Sequence, residues 1–139
     1  MIGSILTGKK PLISVTRDTA VSAITELLHV NRIGAVLVVE NDAILGLVSE
    51  RDICAGLHTH GAAILQATAG EIMSSPVETV LPSETIVRAM ETMTDRRFRH
   101  LPVVENGVIL GLVSIGDLVK ARIDQAESEA RAMKDYIAS

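Results

Sequence analysis

The chain has 139 residues, 47% of them hydrophobic, and a formal net charge of −4. That composition excludes a disordered chain, and the acidic balance, with Phe98 and Tyr136 as the only aromatic residues, argues against a nucleic-acid-binding surface. A single cysteine, Cys54, excludes an intramolecular disulfide framework and suits a reducing compartment.

The opening stretch "MIGSILTGKK" lacks the basic start, long apolar run and small-residue cleavage site of a secretory signal. Its "TGKK" has no leading glycine of a phosphate loop and reads as a basic turn. No apolar run is long enough for a membrane span, so a cytoplasmic location and no membrane partner are expected. A short extended piece, "PLISV" (11–15), comes next. Asp18 or Thr19 can then cap a helix carrying Val21, Ile24, Leu27 and Leu28 at helical spacing, with His29 as a polar surface residue near its end. The run "AVLVV" predicts a strand, "END" a hairpin turn, and "AILGLVS" a second strand. Ser49 stands where the next helix starts, as a good cap. Residues 62–75 form a connection with a short helix.

The remainder repeats this plan. "VVENDAILGLVSERD" (38–52) aligns without a gap on "VVENGVILGLVSIGD" (103–117), identical at 11 of 15 positions. The match continues more weakly upstream, through Pro11/Pro76, Val15/Val80, Glu26/Glu91 and Arg32/Arg97. The second copy has its own extended piece "PVETV", a helix capped by Ser83 with Ile86, Ala89, Met90 and Met93, the strands "HLPVV" and "VILGLVS", and a helix start at Ser114. Each unit is thus β-α-β-β-α, in a mixed α/β fold. The strands are nearly continuous apolar runs, which predicts sheets covered on both faces. A unit this small cannot bury its sheet alone, and duplication supplies the missing cover. From Val119 onward Ile123, Ala126, Ala130, Met133 and Ile137 recur at spacings of three and four, a continuing amphipathic helix that packs on its own module or presents a dimer or partner surface. The expected division is 1–61, repeat one; 62–75, linker; 76–122, repeat two; and 123–139, C-terminal helix.

The chemistry-bearing residues close each copy. Gly46 and Gly111 allow close approach at a strand. Ser49 and Ser114 each offer a hydroxyl beside the free N–H groups of a helix start, an anion site. Asp52 and Asp117 lie one turn further on, where a carboxylate can accept from the vicinal hydroxyls of a ribose. The alternative reading is a serine cap with an aspartate complementing the helix dipole. The second copy is the more cationic. It carries Arg96, Arg97, Arg99 and His100 where the first has Asn31, Arg32, Gly34 and Ala35, which suits phosphate unless the run is only a solvated helix end. Between Ser49 and Asp52 stand Glu50, which would repel a phosphate, and Arg51, which would clamp one. Cys54 and His58 have metal-ligand spacing, but too few further ligands accompany them, and no metal site is expected. No nucleophile elbow, Walker loop or dinucleotide fingerprint is present, so neither an enzyme nor a catalytic cofactor is expected.

"GLVSERD" and "GLVSIGD", each ending a β-α-β-β-α unit, resemble paired cystathionine-β-synthase (CBS) domains, the tandem called a Bateman module. More narrowly, "DRRFRHLPVVENGVILGLVSIGDLVKARI" is similar to small stand-alone bacterial CBS-pair proteins. The resemblance implies a pseudo-twofold pair of repeats with two clefts for adenosine compounds such as AMP, ADP, ATP, S-adenosylmethionine or NAD. It further implies ribose on Asp52 and Asp117 and phosphate on Ser49 and Ser114; by their charge and place in the aligned copies, Arg51, Arg97, Arg99 and His100 are the expected cationic neighbours of that phosphate. Adenine would lie against Ser14, Val15, Thr79 and Val80 and the strand starts at Ala35, Leu101 and Pro102. It implies, finally, homodimers and a regulatory role on an unknown partner protein.

Overall fold

The computed structural model describes residues 1–138. Its elements are α1 (Ile2–Leu6), β1 (Ser14–Val15), α2 (Val21–Asn31), β2 (Ala35–Glu40), β3 (Ala43–Ser49), α3 (Glu50–His60), a 3-10 segment (Gly61–Gln66), α4 (Ala69–Ile72), α5 (Ile86–Arg96), β4 (His100–Glu105), β5 (Val108–Ser114) and α6 (Ile115–Ala138). They form two compact units, the first built mainly from residues 11–78 and the second mainly from residues 1–10 together with residues 79 onward.

In the first unit β1 runs parallel to β2, and β2 pairs antiparallel with β3. The hairpin turn places both Asn41 (φ 51°) and Asp42 (φ 63°) in the left-handed region, the geometry that matches the twist of the flanking strands. The second unit repeats it with Asn106 (φ 53°) and Gly107 (φ 76°) between β4 and β5. Four successive residues of β2, Ala35 to Val38, are buried, whereas β3 buries only Gly46 and Val48 in alternation, so cover on both faces is realised along β2 and not along β3. Val15, Val21, Ile24, Leu28, Val36, Val38, Val48, Ile53 and Ala69 make the core of this unit.

The second unit has its own core of Ala89, Met93, Leu101, Val103, Val113 and Leu118, and Ile2 belongs to it, fully buried. The N-terminal helix α1 therefore packs with the second repeat, although in the sequence it leads into the first. Ile2 and Gly3 donate backbone N–H groups to the carbonyls of Glu84 and Pro82 (2.9 and 2.8 Å). In the first unit α4 does the same, Ala69 and Gly70 donating to Thr19 and Arg17 (2.8 and 2.9 Å). Each repeat is completed by the segment that leads into the other.

Three local expectations change. Neither Asp18 nor Thr19 caps α2. Its cap is Ala20, without a side-chain bond, because the Val21 N–H is already taken by the Ala67 carbonyl (2.8 Å). Thr19 Oγ1 instead accepts from the Thr16 N–H (3.2 Å). In the second unit Thr85, not Ser83, caps α5, its hydroxyl accepting from the Arg88 N–H (3.1 Å). The extended piece "PVETV" contributes a single parallel bridge, Val80 to Val103, not a full strand.

Candidate functional site

Each unit ends its hairpin on a serine that starts a helix. Ser49 is the cap of α3: its hydroxyl accepts from the Asp52 N–H (3.3 Å), while Asp52 Oδ2 accepts from the Ser49 N–H (2.9 Å) and hydroxyl (3.1 Å). Ser114 and Asp117 repeat the reciprocal pair at α6, at 3.1 and 2.9 Å. The capping role is therefore realised at both places. A capping box satisfies two helix-end donors and holds each carboxylate, half-buried, at the mouth of its helix.

The backbone around the two positions also matches. The Glu50 N–H donates to the Gly34 carbonyl (3.0 Å) and the Ile115 N–H to the Arg99 carbonyl (2.8 Å). Ala35 lies opposite Ser49 in the ladder and Ser14 beside Leu37, so these residues share one end of the first sheet. Val15 and Ala35 are buried in the first unit, Leu101 and Pro102 in the second. Thr79 is exposed, and Val80 is tied by its backbone to Pro102 (3.0 Å) and Val104 (2.9 Å). The cationic residues lie outside the core. Arg51 is exposed in the first turn of α3, Arg97 is the left-handed residue (φ 58°) that ends α5, Arg99 is exposed, and His100, half-buried, opens β4.

Sequence reasoning missed two partners of the carboxylates. The Ser74 hydroxyl donates to Asp52 Oδ1 (2.9 Å). Lys9, read as part of a basic turn, donates to Asp117 Oδ2 (2.5 Å) and to the Leu112 carbonyl (2.9 Å). The available signal was positional: Lys9 and Ser74 each stand two residues before the aligned Pro11 and Pro76. Burial works to raise the Asp117 pKa, but it is outweighed by the Lys9 hydrogen bond, the Ser114 backbone, the Lys9 charge and the Ser114 hydroxyl, which together hold the carboxyl below its ordinary value.

Cys54, His58 and His60 are all exposed, and among the described residues no group of three or more His, Cys, Asp or Glu side chains could hold a metal ion. No helix among them is long and apolar enough to cross a membrane.

Two units of one plan, the second with a single bridge in place of the first strand, each ending its hairpin on a Ser-x-x-Asp capping box, define a tandem of a duplicated module. A family profile described as the CBS domain matches residues 2–59 and 69–124, and the chain belongs to that family. A CBS-domain protein from Agrobacterium tumefaciens is 37% identical, superposes with a TM-score of 0.83, and is matched over 87% of this chain and 98% of its own. A CBS domain protein from Pyrobaculum aerophilum, solved in complex with AMP, is 30% identical with a TM-score of 0.73, over 84% of this chain and 88% of its own. The mitochondrial CBS domain-containing protein CBSX3 of Arabidopsis thaliana is 35% identical over 127 residues, 88% of this chain. This chain spans 61% of that relative's length.

Proposed function

We propose that the chain is a regulatory module that binds an adenine nucleotide, AMP or ATP with NAD as the further candidate, at the Ser-x-x-Asp ends of its two repeats. Asp52 and Asp117 take ribose hydroxyls, and Ser49 and Ser114 with the helix N–H groups take phosphate. The observation that carries this reading is the doubled one. In both units a half-buried carboxylate is fixed beside a serine hydroxyl at a helix start, after a strand whose glycine is closely packed. The AMP complex of the Pyrobaculum aerophilum relative supports the ligand class. Arg97, Arg99 and His100, expected from the cationic run of the second copy, supply cationic or polar groups in the second unit. Regulation follows by linkage: a ligand shifts a conformational equilibrium only by its difference in affinity for the two states, and acts on a partner protein without catalysis.

The test is calorimetric titration with AMP, ATP and NAD. Asp52→Ala and Asp117→Ala should each weaken binding at their own site by roughly tenfold or more, the loss of a charge-assisted hydrogen bond. Affinities unchanged in the double variant would refute the assignment.

The exposed stripe of α6 favours a homodimer. Val119, Ile123, Ala126, Ala130, Met133 and Ile137 are spaced four and three in strict alternation, and all are exposed. That spacing is the a/d seam of a coiled coil. Two parallel copies would set Arg122 against the other copy's Glu127, and Glu129 against its Lys134, attractive pairs at both flanks of the seam.

A further inference from the structure

Each candidate carboxylate has one partner beyond its own capping box, and the two partners differ in charge. Asp52 takes a neutral hydroxyl from Ser74. Asp117 takes the ammonium of Lys9, which the Leu112 carbonyl also holds. The same place in the two repeats, two residues ahead of Pro76 and of Pro11, thus delivers an uncharged donor to one acid and a cation to the other. The surrounding side chains follow the same division. Glu50 comes directly after Ser49, whereas Ile115 follows Ser114. The carbonyl that receives the first helical N–H belongs to Gly34 at α3 and to Arg99 at α6. Two acids and one base (Glu50, Asp52, Arg51) flank the start of α3; one acid and two bases (Asp117, Lys9, Arg99) flank the start of α6.

We propose that Lys9 is the specificity-determining residue of the second half-site: by neutralising Asp117 it admits an anionic group to the start of α6, so this half-site selects adenosine ligands by their phosphate charge. The inference rests on the adenine-nucleotide reading above and adds a residue and a ligand class to it. Without Lys9, Asp117 is an uncompensated negative charge within one helical turn of the Ser114 hydroxyl. At a separation of about 6 Å in water-like surroundings, one such charge disfavours each phosphate charge by about threefold. Adenosine carries no phosphate and feels none of this, AMP feels some, and ATP the most. Among the described residues the first half-site, with Ser74 in the equivalent place, has no such cation on its carboxylate.

The experiment titrates adenosine, AMP and ATP into the full chain carrying Asp52→Ala, which weakens the first half-site so that the tighter binding step reports the second, with Lys9 intact, Lys9→Met or Lys9→Arg. The expected result is a graded loss in Lys9→Met: adenosine within about twofold, AMP weakened by about threefold to tenfold and ATP by more, with a shallower salt dependence and recovery in Lys9→Arg. Equal losses for all three ligands would mean that Lys9 acts only by holding the fold, and would overturn the inference while leaving the nucleotide reading intact. Unchanged or tighter ATP binding in Lys9→Met would overturn it in the same way. Failure of the unsubstituted chain to bind any of the three would overturn both.

Discussion

Ser74 donates its hydroxyl to Asp52 Oδ1 at 2.9 Å, tying the acid that caps α3 to the segment that leads into the second repeat. The same segment pairs by backbone with Leu47, the Leu47 N–H reaching the Ser74 carbonyl at 3.0 Å and the Ser74 N–H the Leu47 carbonyl at 2.9 Å. Ser74→Ala removes the side-chain bond and keeps the backbone pair. We expect a loss of about 0.5–1.5 kcal/mol in urea unfolding, since Asp52 retains its capping box. A loss near zero would show that the hydroxyl adds nothing to the backbone pair.

Gly46 and Gly111 are aligned in the repeat but differ in what a side chain there would meet. A Cβ on Gly46 would lie 2.9 Å from the Ser74 backbone oxygen and 2.6 Å from Met73 Sδ, whereas the three nearest atoms to one on Gly111 all belong to the Leu6 side chain, the first at 2.7 Å. A leucine methyl can rotate away, and a paired backbone carbonyl cannot. Gly46→Ala should therefore cost about 1–3 kcal/mol, the range of overpacking, and Gly111→Ala clearly less. Thermal unfolding of the two variants checks the order, and the reverse order would contradict the contacts.

Ile2 is fully buried in the core of the second unit. Ile2→Ala should destabilise by about 2–5 kcal/mol, a large effect for a residue next to the start of the sequence. Hydrogen exchange should place the loss in α5, β4 and β5. Loss of protection confined to α2 and β2 would contradict the assignment of α1 to the second unit.

The Asp117 pKa gives stability a pH dependence of known sign. Burial alone would raise it, but the bonds and charge from Lys9 and Ser114 hold it below the ordinary value of 3.8. The folded state then binds fewer protons than the unfolded chain, so stability rises with pH. The contribution is fully present above the ordinary value and is lost as pH falls through the lower folded value. The stability difference between the wild-type chain and Asp117→Asn should be flat from pH 7 to about pH 5 and shrink below it, as read by urea unfolding. Lys9→Met should move that loss to higher pH.

The seam of α6 predicts an oligomeric state. Met133→Glu sets like charges against each other within a paired seam and leaves the core of either unit untouched, since Met133 is 61% exposed. Native mass spectrometry should show a dimer that Met133→Glu weakens by tenfold or more. A monomeric wild-type chain would refute the pairing.

The repeat was fully legible in the sequence, because a duplicated phrase is local text. So were both hairpin turns, where Asn, Asp and Gly adopt left-handed conformations that other residues resist. The serine caps at Ser49 and Ser114 were legible for a similar reason: a cap bonds three residues along its own chain. The caps of α2 and α5 were misplaced. At α2 the helix-end N–H is satisfied by Ala67, distant in sequence, and several hydroxyl-bearing residues precede α5.

The sequence by itself determined the doubled β-α-β-β-α plan and the Ser-x-x-Asp pair in each copy, through spacing and short-range hydrogen bonds. Only the tertiary structure decided that α1 completes the second repeat and that Lys9 reaches Asp117, 108 residues away. Contacts across such a separation depend on how two buried faces meet, and nothing in the neighbouring residues of either partner encodes that meeting.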